Sequence, residues 1–403
     1  MTTLISIIMP CYNRVHDLRR ILEAYDQQVG SDPFEIIAID DASTDTTYEM
    51  LDSYRPSRYS MRIEHQSQNQ GPAAARNRGI ALATSPLIMF VGDDILPAPD
   101  FVLSHLSAHC YHAKPEIAIL GRVTWPPDIG CNTLMSHIDG VGAQQFSYNY
   151  FQNGQEYDFR HFYTANISVK SSLLQQDRDL FDTNFPYAAF EDAEFAYRLA
   201  KHGLRIIYDE RPTAFHYHYH TIWTFSTRQY RAGLMACLLA KKHPELAGFL
   251  RVTKTKYLFG LGLIQQFNQD ALSLAESATW LEELALHITS FYEWSSHPML
   301  DDLYIKILEY FWRKGLIDGV FKASSSQAIV RNTYTLYYLG DFLKHFLAKA
   351  DSEKIPIPMK DYHDFYLRLA AAENSIAKQL LNWWQKTGYR LVKSKLYPEK
   401  IPS

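Results

Sequence analysis

The sequence predicts an α/β protein, with a mostly parallel sheet and flanking helices in residues 1–240 and an all-helical C-terminal region in 241–403. Three observations carry that expectation. Short apolar runs at 4–9, 34–39, 61–65 and 87–91 alternate with stretches whose apolar residues recur at helical spacing. Such alternation implies parallel strands joined by crossover helices. Acidic pairs stand where apolar runs meet loops: Asp40-Asp41 after 34–39, Asp93-Asp94 after 87–91, and Glu191-Asp192 at the opening of a helical stretch. Beyond about Thr224 the spacing is helical nearly throughout.

Each element follows from its local pattern. Residues 4–9 read as a strand ended by Pro10. Val15, Leu18, Ile21, Leu22, Tyr25 and Val29 predict a helix, which Gly30 stops. The second strand, 34–39, leads to Ser43 as N-cap of a helix carrying Tyr48 and Leu51. A weaker strand at 61–65 precedes Gly71-Pro72, where proline suits the first position of an Ala-rich helix. Residues 87–91 form the fourth strand. Strands are expected again at 117–123 and 162–169, with a loop at Trp125-Pro126-Pro127-Asp128 between them. The helix opened by Glu191-Asp192 runs to about His202, and 204–208 and 213–220 read as extended. In the C-terminal region, 271–289 and 301–314 are amphipathic helices.

Composition narrows the function classes. A net charge of −4 over 403 residues leaves no basic footprint for nucleic acid. Cys11, Cys110, Cys131 and Cys237 are scattered without a CxxC and read as reduced thiols, consistent with a cytoplasmic setting. The start lacks a charged, cleavable leader, and no uncharged apolar run reaches the roughly 18 residues of a membrane span. The last segment, with Trp383, Trp384 and basic residues to Lys395, suits either a packed helix with a basic face or a peripheral contact with the inner face of an anionic membrane.

In an open parallel sheet, ligands bind outside the carboxyl ends of the strands. Carboxylates gathered there hold a divalent cation or take a proton from a hydroxyl. Arg76, Asn77 and Arg78 lie in the first two turns of the helix that Pro72 opens, where backbone N–H groups and guanidinium forks favour anions. Phe215-His216-Tyr217-His218-Tyr219-His220 alternates, so a strand would place its histidines on one face, and imidazoles at i and i+2 can share an ion. Asp45 reads as a capping residue.

Five segments occur in order: Ser6-Ile7-Ile8-Met9-Pro10-Cys11-Tyr12-Asn13-Arg14, Ile39-Asp40-Asp41-Ala42-Ser43-Thr44-Asp45, Gly71-Pro72-Ala73-Ala74-Ala75-Arg76-Asn77-Arg78-Gly79, Phe90-Val91-Gly92-Asp93-Asp94 and Phe190-Glu191-Asp192. Together they closely resemble the inverting family-two glycosyltransferases of the GT-A fold, over roughly residues 4–235. The resemblance implies metal-dependent transfer of a sugar from a nucleotide-diphosphate sugar, UDP-sugars favoured, to an acceptor hydroxyl on a glycan, a lipid-linked molecule or a protein. Synthesis of bacterial surface glycans or glycoconjugates is the implied setting. It assigns Asp40 and Asp41 to base and ribose, Pro10 and Tyr12 to the nucleotide slot, and Gly71 and Arg76 to the nucleotide or diphosphate. Asp93 and Asp94 would hold Mn²⁺ or Mg²⁺, with His216, or next His218, completing the set, while Asp93 also serves the donor. Asp192 corresponds to the catalytic base. Val91 replaces the first Asp of the family's DXD pattern, and Gln229-Tyr230-Arg231-Ala232 departs from the Gln-x-x-Arg-Trp of processive members, which implies a non-processive enzyme. A sugar-phosphate nucleotidyltransferase would carry a Gly-rich basic loop after the first strand, unlike Pro10-Cys11-Tyr12-Asn13. The alternative from another class is a non-catalytic nucleotide-sugar-binding or scaffolding protein with a degenerate site.

Overall fold

Strands apolar on both faces belong between layers of helices, and that is where the chain puts them. In the computed structural model, which describes residues 3–30, 32–140, 144–177, 179–253 and 298–321, Ile5–Cys11 (β1), Phe34–Asp40 (β2) and Leu87–Val91 (β4) are buried along nearly their whole length. Ser60–His65 (β3) is half exposed and closes one edge of the sheet. The helices Val15–Asp26 (α1), Thr47–Ser53 (α2) and Gly71–Leu82 (α3) connect these parallel strands.

The other half of the sheet is mixed. Ile95–Pro97 (β5), Phe101–Tyr111 (α4), Ile117–Thr124 (β6), Thr133–Gly140 (α5), Glu156–Tyr157 (β7), Asn166–Lys170 (β8), Ser171–Leu174 (α6), Glu191–Ala200 (α7) and Arg205–His216 (β9) follow in chain order. The strand order is β3-β2-β1-β4-β8-β6-β9-β5, with β7 on β9. β8 runs antiparallel to β4 and β6, and β5 antiparallel to β9. Sequence reading expected the α/β class, and the described residues bear it out.

Four local expectations need correction. β1 does not end at Pro10 but runs through it to Cys11; β4 pairs with β1 only as far as Ile8, so Pro10 lies where one side of β1 is open and a missing N–H is tolerated. Ser43 does not cap α2; its hydroxyl instead accepts the Asn13 N–H, while Asp45 Oδ1 takes the Thr47 N–H. The stretch read as a strand from 162 begins only at Asn166, because a short 3-10 turn at Phe159–His161 precedes it. The extended pieces at 204–208 and 213–220 are one twelve-residue strand, β9, which stops at His216.

Contacts divide the chain into two units. Met1–Cys131 and Ile138–Tyr219 form the sheet unit. Asn132–His137 joins the described residues from His220 onward in the second. There Ile222–Lys242 (α8) starts at Thr221 through a capping box with Thr224. It pairs with Pro298–Phe321 (α9), where the Tyr230 hydroxyl donates to Asp318. The helix expected at 301–314 lies within α9, whereas 271–289 and 383–395 fall outside the described residues. Among the described residues, no helix is long and apolar enough to cross a membrane.

Candidate active site

The register of the sheet brings the acidic pairs to one edge. Cys11 pairs with Asp40, and Ile8 with Phe90, so the chain leaves β1, β2 and β4 on the same side. The loops at these exits are tied together by polar side chains. Tyr12 N–H donates to Asp93 Oδ2 at 2.9 Å. Asn13 Oδ1 accepts the Thr44 N–H at 2.7 Å, and Arg14 N–H donates to Thr47 Oγ1 at 2.8 Å. Asn13 and Ala42 hold left-handed backbone (φ 53° and 56°), a conformation that non-glycine residues adopt at local cost. The exit of β1 is therefore a rigid bridge between Asp41's loop and Asp93.

Asp94 owes its surroundings to the antiparallel β5–β9 pair. Ile95 faces His216, and Tyr217 N–H donates to the Asp94 carbonyl at 2.7 Å. Residues 216 and 218 flank Tyr217, so both imidazoles reach the Asp94 carboxylate: His216 Nε2 is 3.3 Å and His218 Nδ1 3.4 Å from Oδ2. These three residues offer ligand atoms within 4.8 Å of one another. His216 is held face to face against Trp125, with ring centroids 5.3 Å apart. His220 is not in this group; its ring packs on Phe225.

The two carboxylates titrate in opposite directions. Burial, reinforced by the neighbouring Asp94 charge, pushes Asp93 up to about 7 against the pull of Arg14 and the Tyr12 N–H. Burial presses Asp94 upward too, but His216, through charge and a hydrogen bond, and Arg14 outweigh it and hold this carboxyl well below the usual range. A carboxylate with two imidazoles is a mixed oxygen–nitrogen donor set. It suits Mn²⁺ better than Mg²⁺, which prefers oxygen throughout. The residues present thus fit a divalent cation.

Asp40 and Asp41 are buried. Asp41 accepts the N–H groups of Gln70 and Gly71, each at 2.8 Å, and the Gln66 amide at 2.9 Å. It thereby caps the N-terminus of α3, and Gly71 (φ 85°) supplies the left-handed turn that directs its N–H there. Asp40 Oδ2 lies 2.7 Å from His65 Nδ1, while its Oδ1 is buried without a hydrogen-bond partner. Cys11, buried between the pairs, has its thiol pushed up by burial and by the charges of Asp93 and Asp40, which leaves it protonated and inert. Pro10 is half-buried in β1, and the Tyr12 side chain is exposed at the rim.

Arg76 sits differently from the expectation of an open anion site. It is buried, and its Nη1 donates to Glu191 Oε1 at 2.9 Å. Asn77 adds a two-way clamp on Phe181, through Nδ2 to the carbonyl at 2.8 Å and from the Phe181 N–H at 2.9 Å. Gly79 completes the packing of α3, since a Cβ there would stand 2.4 Å from Ile8 Cγ2. Phe190 (φ 65°) turns the chain into α7, whose first turn carries Glu191, Asp192 and Glu194. Asp192 is half-buried beside its own helix start, with Oδ1 accepting the Ala193 N–H at 2.8 Å. Tyr12, Arg14, Asp93, Asp94, His216 and His218 form one cluster, and Arg76 and Glu191 another. Arg14 and Trp125 received no role from the sequence. Arg14's place directly after Pro10-Cys11-Tyr12-Asn13 was the available signal.

Residues 6–175 match the family described as Glycosyl transferase family 2. Validoxylamine A glucosyltransferase of Streptomyces hygroscopicus subsp. jinggangensis is 27% identical over 221 residues, 50% of this chain and 52% of that protein. The uncharacterized glycosyltransferase EpsJ of Bacillus subtilis is 28% identical over 225 residues, 53% of this chain and 63% of its own. The chain spans about half the length of the validoxylamine A glucosyltransferases it matches. Among solved structures, a mannosyltransferase from Pyrobaculum calidifontis in complex with GDP-Man and Mn²⁺ superposes with a TM-score of 0.50 at 16% identity, covering 80% of this chain and 89% of that one. That likeness is one of fold, and it agrees with the GT-A architecture implied by the motifs.

Proposed function

We propose, with the family-2 glycosyltransferase match of residues 6–175 as premise, that this chain transfers a sugar from a nucleotide-diphosphate donor to an acceptor hydroxyl with inversion, without processive elongation. The observation that carries this reading is the Asp93, Asp94, His216 and His218 cluster at the strand exits of a GT-A sheet. Asp94, His216 and His218, with Asp93 beside them, would hold a divalent cation. When bound, such an ion neutralises charge developing on a diphosphate leaving group.

The chain's own residues supply the rest. Asp192 takes the acceptor hydroxyl proton as that oxygen attacks the anomeric carbon and the bond to the diphosphate breaks on the opposite face. A single displacement needs no second nucleophile. Pro10, Tyr12, Asp40 and Asp93 line the nucleotide slot. A carboxylate there accepts from an imide N–H or ribose hydroxyls, which favours UDP-sugars. Asp41 and Gly71 shape that slot by fixing the start of α3, and Arg76 acts through Glu191. We assign this chemistry to residues 1–240, and docking of a glycan, lipid-linked or protein acceptor to 241–403. Bacterial surface glycan synthesis in the cytoplasm, with peripheral contact at the membrane's inner face, is the setting we favour.

A panel of UDP-, GDP- and dTDP-sugars, glucosyl donors included, tests the reading by thermal stabilisation and hydrolysis with Mn²⁺. A donor at 100 times its dissociation constant stabilises by about 2.7 kcal/mol. Stabilisation without any turnover, across added acceptors, would favour the non-catalytic binding protein instead.

A further inference from the structure

The Arg14 guanidinium stands among the atoms that would ligate a divalent ion. Its Nη2 lies 3.0 Å from Asp94 Oδ2 and 2.9 Å from His218 Nδ1. Its Nε lies 3.5 Å from Asp93 Oδ1. A guanidinium has N–H donors and no acceptor, so His218 Nδ1 meets Arg14 with its lone pair. An imidazole ligates a metal through that same lone pair. Asp94 Oδ2 is likewise both Arg14's partner and the oxygen nearest the two imidazoles. One lone pair cannot serve two cations, and two cations held on the same atoms repel each other.

We propose that Arg14 is an internal counter-cation of this site: it compensates Asp93 and Asp94 in the metal-free protein, and its guanidinium must leave Asp94 and His218 for a divalent ion to bind. The inference rests on the metal-binding reading given above. Arg14 is built for such an exchange. Its backbone N–H is pinned to Thr47 Oγ1, at the position preceding α1, while its side chain keeps 26% exposure through which to swing. The ion and Arg14 are then alternative occupants, and metal affinity is set partly by what it costs to displace the arginine.

Mn²⁺ titration of the full chain, read by the electron paramagnetic resonance of free Mn²⁺, separates the possibilities without reference to activity. Arg14→Gln should bind Mn²⁺ about 10-fold more tightly than the wild type, equivalent to ~1.4 kcal/mol. Its metal-free melting temperature should fall, and its rise on adding Mn²⁺ should exceed that of the wild type. Arg14→Lys keeps the charge as a single-point donor without the planar fork, so its affinity should lie between the two; if Arg14→Gln does not fold, Arg14→Lys carries the comparison alone. Wild-type Mn²⁺ binding that is unchanged or weakened in the variants overturns the counter-cation while leaving the metal reading intact. Absence of Mn²⁺ binding in wild type and variants alike removes the metal reading, and the proposal with it.

Discussion

Arg76 Nη1 and Glu191 Oε1 form an ion pair 2.9 Å long in which both side chains are almost wholly enclosed. It ties the second turn of α3 to the first residue of α7, next to Asp192. Neither residue's remaining polarity is fully met, since Arg76 Nε and Glu191 Oε2 are buried without hydrogen-bond partners. Such a pair is expensive to desolvate, so its presence speaks more for fixing geometry than for stability.

Removing one partner should therefore be costly. Arg76→Ala leaves a buried, uncompensated carboxylate and is expected to destabilise the fold by about 3–5 kcal/mol. Arg76→Met combined with Glu191→Met should recover most of that loss. Urea unfolding of Arg76→Met, Glu191→Met and the double variant measures the coupling. Additive effects would mean that the two residues do not depend on each other.

Asp93→Asn and Asp94→Asn should each lower transfer by on the order of 10²-fold or more, the scale of several kcal/mol of charge stabilisation at a leaving group. Wild-type activity should fall in excess chelator and return with Mn²⁺. Full turnover by chelated, verified metal-free protein would show that this cluster does not work through a cation.

How much of this could be read from the sequence depended on the range of the interaction. Asp93, Asp94 and His216 were legible because strand-end acidic pairs and a two-residue alternation are local patterns. The role of Asp41 was not, because three donors from residues 66–71 saturate it only after β2 and α3 are placed. Arg76 carries a pattern typical of anion binding, yet its partner is 115 positions away. Arg14 and His218 are farther apart still, at 204 positions; the β5–β9 register sets His218 beside Asp94, and Arg14 reaches both from the exit of β1. In the histidine run, alternation marked all three residues equally. Only the folded chain separates them: His216 and His218 meet Asp94, whereas the His220 ring packs on Phe225.

Metal affinity should depend on pH through Asp93. Its carboxyl is raised from an ordinary 3.8 to about 7, chiefly by burial and then by Asp94. Between those values the native state binds a proton that the unfolded chain has released, so this group's contribution to stability falls as pH rises from about 4 to 7. A cation requires the deprotonated form, and Mn²⁺ affinity should accordingly rise across that window and level off above about 7. Calorimetric titrations at pH 5.5, 6.5, 7.5 and 8.5 check the slope, which Asp93→Asn should flatten. A flat wild-type profile would place the proton elsewhere.

Asp192 offers the sharpest division between binding and chemistry. It follows Glu191 in the first turn of α7, and the Arg76 pair fixes the residue immediately before it. Asp192→Asn keeps the size and the acceptor oxygen that takes the Ala193 N–H, so α7 should start unchanged. What it loses is the ability to accept a proton. The expected result is donor binding within a few-fold of wild type and a kcat lowered by about 10² to 10⁴, or about 3–5 kcal/mol at the barrier. Donor titration by fluorescence and single-turnover transfer, run on the same preparations, separate the two quantities. Equal loss in donor affinity and rate would move Asp192 into the donor site, and wild-type turnover would move the base to another residue.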